Sequence, residues 1–194
     1  MRERVLDESW LLAAEAGWDR VRVADLAQRA EVSRPSVYAE FGDRAGIGRA
    51  LVHRETERFL AGVAAVLNGG HGEHDDVGAA LEAGVAHALA EAGRNPFIAA
   101  VVTAARGGTD ALLPFLTSRT EPVFSESRRL VAAWLDTAAA RAPEERRAEA
   151  ADLVVRLTLS HMVLPAADVA RAPERVARAV SAVLGDPYAP APGR

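Results

Sequence analysis

Three hydroxyls and a guanidinium stand within the nine residues Ser33-Arg34-Pro35-Ser36-Val37-Tyr38-Ala39-Glu40-Phe41. Such groups donate hydrogen bonds to phosphate oxygens and to base edges, the first fixing a position on a duplex and the second reading its sequence. A second cluster, His71, His74, Asp75 and Asp76, has the side chains of a metal site. It sits in the Gly-rich stretch Asn68-Gly69-Gly70-His71-Gly72-Glu73-His74, which reads as an exposed loop, not a rigid scaffold for a helical metallo-hydrolase. No Gly-x-Ser-x-Gly elbow and no phosphate-binding or dinucleotide glycine loop occurs. The absence of cysteine removes disulfide frameworks, thiolate zinc sites and thiol nucleophiles together. The expectation is therefore a binding protein with no catalytic residues, no metal and no cofactor.

The elements that must position the hydroxyl-rich run are helical. Glu3 to Ala16 places Val5, Leu6, Ser9, Trp10, Ala13 and Ala14 at helical spacing, and Gly17 follows where a left-handed cap is expected. Val23, Leu26, Ala27 and Ala30 predict a second, two-turn helix ending near Glu31. Ser33 then offers a side-chain cap, and Pro35 falls in the first turn of a third helix, where its missing N–H costs nothing. If Val32, Val37 and Phe41 face inward, then Arg34, Pro35, Ser36, Ala39 and Glu40 are left outside. The second and third helices, joined by Glu31-Val32-Ser33, make a helix-turn-helix whose last member can enter a major groove.

Beyond Gly42 and Asp43 a long fourth helix runs from about Ile47 to Leu67 without a proline. Further helices are expected at about Val77–Ala92, Pro96–Ala105, Thr120–Ala140, Pro143–Leu164 and Pro173–Leu184, and a frayed tail over 187–194, which contains three prolines. The fold class is all-α: a head over 1–50, joined by the long helix to a helical body over 51–186. Apolar residues make up 49% of the chain and aromatics 5%, so its cores must be built from Ala, Val and Leu. No apolar run approaches the roughly 18–20 residues that span a bilayer, and Arg2-Glu3-Arg4 does not open a signal peptide, so a soluble, cytoplasmic protein with no membrane partner is expected.

Charge alone argues against indiscriminate nucleic-acid coating. The chain carries a net charge of -4, and residues 1–50 hold eight Arg against nine Asp and Glu, a sum of -1. Any DNA affinity must come from where charges stand, not from their total. An all-α adaptor whose head has lost DNA affinity is the alternative that this acidity and Glu40 suggest.

The pattern Val5-Leu6-Asp7, Gly17-Trp18, Val23-Ala24-Asp25-Leu26-Ala27, then Val32 to Phe41 and Gly42-Asp43-Arg44 to Ile47, resembles the TetR family of transcriptional regulators in order and spacing. The resemblance implies a ligand-responsive repressor binding double-stranded operator DNA. It implies phosphate contacts from Ser36 and Tyr38, a backbone contact from Arg44, and approach to base edges by Arg34, Pro35 and Ala39. Arg22 departs from the usual capping Thr of the second helix; it cannot cap but can reach a phosphate. With Ser33 at the start of the reading helix, the DNA-facing set is Arg22, Ser33, Arg34, Pro35, Ser36, Tyr38, Ala39 and Arg44. Glu31 stands where Gly is common, so that turn is either less acute or holds a strained left-handed residue.

For the body, the resemblance implies terminal helices that pair across a two-fold axis into a homodimer, with Leu153, Leu157, Val176, Val180 and Val183 as interface residues and a roughly palindromic operator. It also implies a cavity for a small ligand of unknown identity; from the residues themselves, Phe97, Phe115, Phe124, Trp134 and Met162 are the candidate lining and Arg128, His87 or His161 the candidate polar anchors, and the few charges on the inward faces of the central helices suggest a mainly apolar ligand.

Overall fold

The computed structural model describes residues 1–69, 77–95, 120–165 and 168–185. The expected helix Pro96–Ala105, the tail, and His71, His74, Asp75 and Asp76 lie outside them. Among the described residues the order is α1 (Arg2–Ala16), α2 (Val23–Arg29), α3 (Arg34–Phe41), α4 (Arg44–Gly69), α5 (Val77–Arg94), α6 (Thr120–Ala138), α7 (Glu144–Val163) and α8 (Ala172–Leu184), with 3-10 turns at Trp18–Arg20 and Val169–Arg171. These residues contain no strand, and none of their helices is long and apolar enough to cross a membrane. The 3-10 turns were not expected from periodicity, and Asn68 and Gly69, expected in a loop, are helical. Asn68 donates to the Ala64 carbonyl at 2.8 Å, an i−4 bond that lets a loop-forming residue extend the helix.

The chain divides into two compact units. Among the described residues the head runs to Glu57, beyond the expected boundary at residue 50. The extension follows from Arg54, whose side chain reaches back to Glu3 and Asp7 of α1. Val5, Leu6, Trp18, Val21, Leu26, Ala27, Val37, Phe41, Ile47 and Leu51 form one apolar core in which α1, α2, α3 and the start of α4 meet. Ser9, on the buried stripe of α1, satisfies its hydroxyl on the Val5 carbonyl at 2.6 Å.

Local chemistry closes each head helix. Gly17 has φ +81 with ψ 151, outside the left-handed helical region, yet its N–H still reaches the Ala13 carbonyl. Gly42 ends α3 at φ +78, a backbone that side chains with a Cβ avoid, and its N–H satisfies the Tyr38 carbonyl at 2.8 Å. One turn later Gly46 is required for a different reason: a Cβ there would lie 1.8 Å from the Phe41 carbonyl oxygen.

Glu31 is the non-glycine residue with positive φ among the described residues, at +54, so the turn before α3 does hold a left-handed residue. That conformation costs an L-residue about 1–2 kcal/mol, partly offset by glycine's larger entropy loss on folding. Glu31→Gly is therefore expected to stabilise the head by up to about 1 kcal/mol. Urea titration read by a head-specific probe checks this, and an equal or lower midpoint would show that Glu31 is not strained.

In the body, α5, α7 and α8 pack on one another around Leu81, Val85, Leu135, Val154, Val176 and Val180, with Leu67 and Trp134 joining the same cluster. Ala139, Ala150, Ala151 and Ala177 fill the close approaches, as the alanine-rich composition predicts.

Candidate nucleic-acid interface

The reading helix is built from its cap. Ser33 Oγ accepts the Ser36 N–H at 3.1 Å and lies 2.7 Å from the Ser36 hydroxyl, satisfying one of the amide donors that a helix start leaves unpaired. Pro35 follows in the first turn. Val37 and Phe41, one turn apart, are buried in the head core, which fixes the rotation of α3 about its axis. Ser33, Arg34, Pro35, Ser36, Tyr38, Ala39 and Glu40 are consequently exposed, and Tyr38 keeps 50% of its surface open despite being a large aromatic. Every residue expected to contact bases or phosphate on this helix is thus at the surface. Ser33 serves first as the cap, its hydroxyl oxygen being engaged by Ser36.

The remaining two expected contacts separate. Arg22 is exposed at the N-cap of α2 and makes no side-chain cap, as its chemistry predicts. Arg44 turns inward: its Nη2 donates to the Trp18 carbonyl, its guanidinium lies 5.3 Å over the Trp18 ring, and its Nε is buried. It binds the start of α4 to the 3-10 turn, and this placement differs from the surface position a phosphate contact needs.

Charge placement resolves the apparent acidity of the head. Arg29 pairs with Glu15 at 3.2 Å and Glu8 at 3.8 Å, Arg49 with Asp43 at 3.9 Å, and Arg2 with Glu40 at 2.9 Å. Arg22 and Arg34 make no ion pair among the described residues, so no neighbouring carboxylate offsets the two arginines of the expected DNA-facing set that stay at the surface. Two residues escaped sequence reasoning. Arg2 meets Glu40, and its guanidinium lies 5.2 Å from the Phe41 ring centroid. Arg54 is a buried cation on α4. The outward-facing acid on α3 was the one available hint of Arg2.

The expected ligand residues of the body do not gather into one described site. Phe97 and Phe115 lie outside the described residues. Trp134 is buried in the body core, where its indole N–H donates to the Leu67 carbonyl at 3.1 Å. Phe124 packs against that core beneath Arg156, whose guanidinium stands 4.8 Å from the ring centroid. Arg128 is exposed, which differs from the inward anchor expected of it. His87 and His161 are half-buried and Met162 is buried; His87 packs against α4, where a Cβ on Gly62 would meet its Nε2 at 2.8 Å. Among the described residues no three His, Cys, Asp or Glu gather as metal ligands.

The interface expectation needs a correction at two positions. Val176 and Val180 are 1% and 0% exposed within a single chain, packed into the body core, so they are not available to a partner. An apolar stripe demands cover without saying whose, and here α5 and α7 supply it. Leu153, Leu157 and Val183 pack on the same core but remain partly exposed.

Residues 5–51 match the family model described as bacterial regulatory proteins, tetR family, and residues 76–184 match the bacterial tetracyclin repressor C-terminal domain. The HTH-type transcriptional regulator AlkX of Mycobacterium tuberculosis strain H37Rv is 28% identical over 179 residues, covering 88% of this chain and 82% of that protein. The HTH-type transcriptional repressor ComR of Escherichia coli K12 is 33% identical over 60 residues, covering 31% of this chain and 29% of its own length. Among solved structures, the TetR family repressor AlkX from Dietzia sp. strain DQ12-45-1b, implicated in biodegradation of n-alkanes, superposes with a TM-score of 0.71 at 23% identity, covering 94% of each chain. With a capped, outward-facing third helix at one end and a matching helical body at the other, the chain belongs to the TetR family and is a DNA-binding transcriptional regulator.

Proposed function

We propose that the protein is a cytoplasmic, homodimeric repressor that binds a roughly palindromic operator and is released by a small, mainly apolar ligand, acting by binding and not by catalysis. The observation that carries this reading is the geometry of α3: capped by Ser33, rotationally fixed by Val37 and Phe41, and open along Arg34, Pro35, Ser36, Tyr38 and Ala39. A dimer is favoured because one head of net charge -1 binds weakly, whereas two heads on successive major grooves gain avidity. Leu153, Leu157 and Val183, partly exposed on α7 and α8, are the candidate contacts. The apolar ligand is supported by the Ala, Val and Leu character of the body and by the relative from Dietzia, which is implicated in biodegradation of n-alkanes. Ligand binding would bias an equilibrium between head spacings that do and do not fit the operator.

Selection of bound fragments from a random duplex pool tests head, dimer and specificity together. An enriched inverted repeat is expected, and a pool without enrichment, or an unrepeated half-site, sinks the proposal. On the enriched operator, Tyr38→Phe should weaken binding about 2–10-fold whatever the sequence, the value of one hydrogen bond. Arg34→Ala should cost about 1–3 kcal/mol and relax preference at one base position per half-site. Affinities untouched by both substitutions would remove the contact assignment.

A further inference from the structure

We infer that Arg2, at the first turn of α1, is an additional contact to the DNA backbone, held in place by Glu40 of the reading helix. This rests on the α3 reading given above and adds to it a residue that lies 38 positions away from Glu40 in the chain. Arg2 Nη1 donates to Glu40 Oε1 at 2.9 Å while its guanidinium lies 5.2 Å from the Phe41 ring centroid. An ion pair on one side and an aromatic face on the other fix the direction of a side chain that would otherwise be free to rotate. Only one of its five N–H donors is used by the carboxylate.

The pair is also accessible. The Arg2 side chain is 50% exposed and that of Glu40 34%, so the guanidinium stays open to solvent while it is paired. Glu40 follows Ser36 by four residues and therefore lies one turn further along the same side of α3, beside one of the two residues assigned to phosphate. A bare carboxylate there would repel the strand that Ser36 approaches. Covered by Arg2, it becomes an anchor presenting an arginine to that strand. The neighbouring acid, Glu3, does not compete, because it turns to Arg54 at 3.3 Å. Arg4, also exposed, makes no ion pair among the described residues and adds to the positive character of this turn.

The test is the salt dependence of binding by the full chain to its selected operator, with Tyr38→Phe as the control for α3 itself. Arg2→Ala should weaken binding about 5–10-fold on every sequence variant and lower the slope of log affinity against log salt by about one per head. Arg2→Lys should restore the slope, because the charge is kept. In the double variant Arg2→Ala with Glu40→Gln, affinity should stay low, since the contact is still missing. Recovery of wild-type affinity in the double variant would mean that Arg2 merely masks Glu40, and overturns the inference. An unchanged slope in Arg2→Ala alongside a weakened Tyr38→Phe overturns it while leaving the reading of α3 intact. If neither variant binds differently, both fail.

Discussion

Arg54→Ala should loosen the head by about 3 kcal/mol, seen as amide exchange roughly a hundred-fold faster across α1 and the first half of α4. The Arg54 side chain is 9% exposed and its neighbour Glu55 7%. Arg54 Nη1 donates to Asp7 at 2.8 Å and Glu3 at 3.3 Å, and its Nε donates to Glu55 Oε1 at 3.2 Å. The Nη2 atom sits 3.2 Å from the same Glu55 oxygen without hydrogen-bond geometry.

The bonds to Glu3 and Asp7 end on carboxylates that are more than half exposed, so water and salt screen them and each contributes well under 1 kcal/mol. The weight falls on the buried contact with Glu55, where removing the guanidinium leaves a carboxylate in a poorly hydrated place without the cation packed against it. Arg54→Lys should rescue part of the loss, because it returns a cation beside Glu55 without the planar guanidinium that packs there. Glu3→Gln should change exchange only slightly. Since α1 also carries Arg2, Val5 and Leu6, a loosened α1 weakens the prop behind Val37, and operator affinity should fall with stability. Exchange in Arg54→Ala that matches the unsubstituted protein would show that the cluster is ornamental to the fold.

What the sequence could and could not foretell follows from the range of each interaction. The reading helix was legible because its determinants are local: a Ser cap, a Pro in the first turn, and Val37 and Phe41 one turn apart. Arg22 failing to cap was legible for the same reason, whereas at Glu31 the sequence left a less acute turn and a left-handed residue both open, and the structure has the second. Arg44 was not, since its inward turn answers a carbonyl in the 3-10 turn at Trp18, which has no periodic signature. Arg2 with Glu40, and Arg54 with Asp7, join helices distant in sequence, and charge pairs between helices leave no trace in hydrophobic spacing. Val176 and Val180 show the limit from the other side: their spacing announces a buried stripe, and only packing reveals that the cover comes from the same chain.

Trp134 carries the second large effect, and its two parts can be separated. Its side chain is buried in the body core with Leu67, Val131 and Leu135, and its indole N–H donates to the Leu67 carbonyl at 3.1 Å. Leu67 is on α4, so the indole ties α6 to the backbone of α4 as well as filling space between them. Trp134→Ala should cost the body about 3–5 kcal/mol, the range for deleting a buried large aromatic. Trp134→Phe keeps much of the volume and removes the donor, and should cost about 1–2 kcal/mol, with faster exchange concentrated in the last turns of α4. Had Trp134 been lining for a ligand cavity, Trp134→Phe would instead leave the free protein's stability near its starting value and change only the response to ligand. Denaturation of the ligand-free protein decides between the two, and a Phe variant as stable as the parent would return Trp134 to the ligand site.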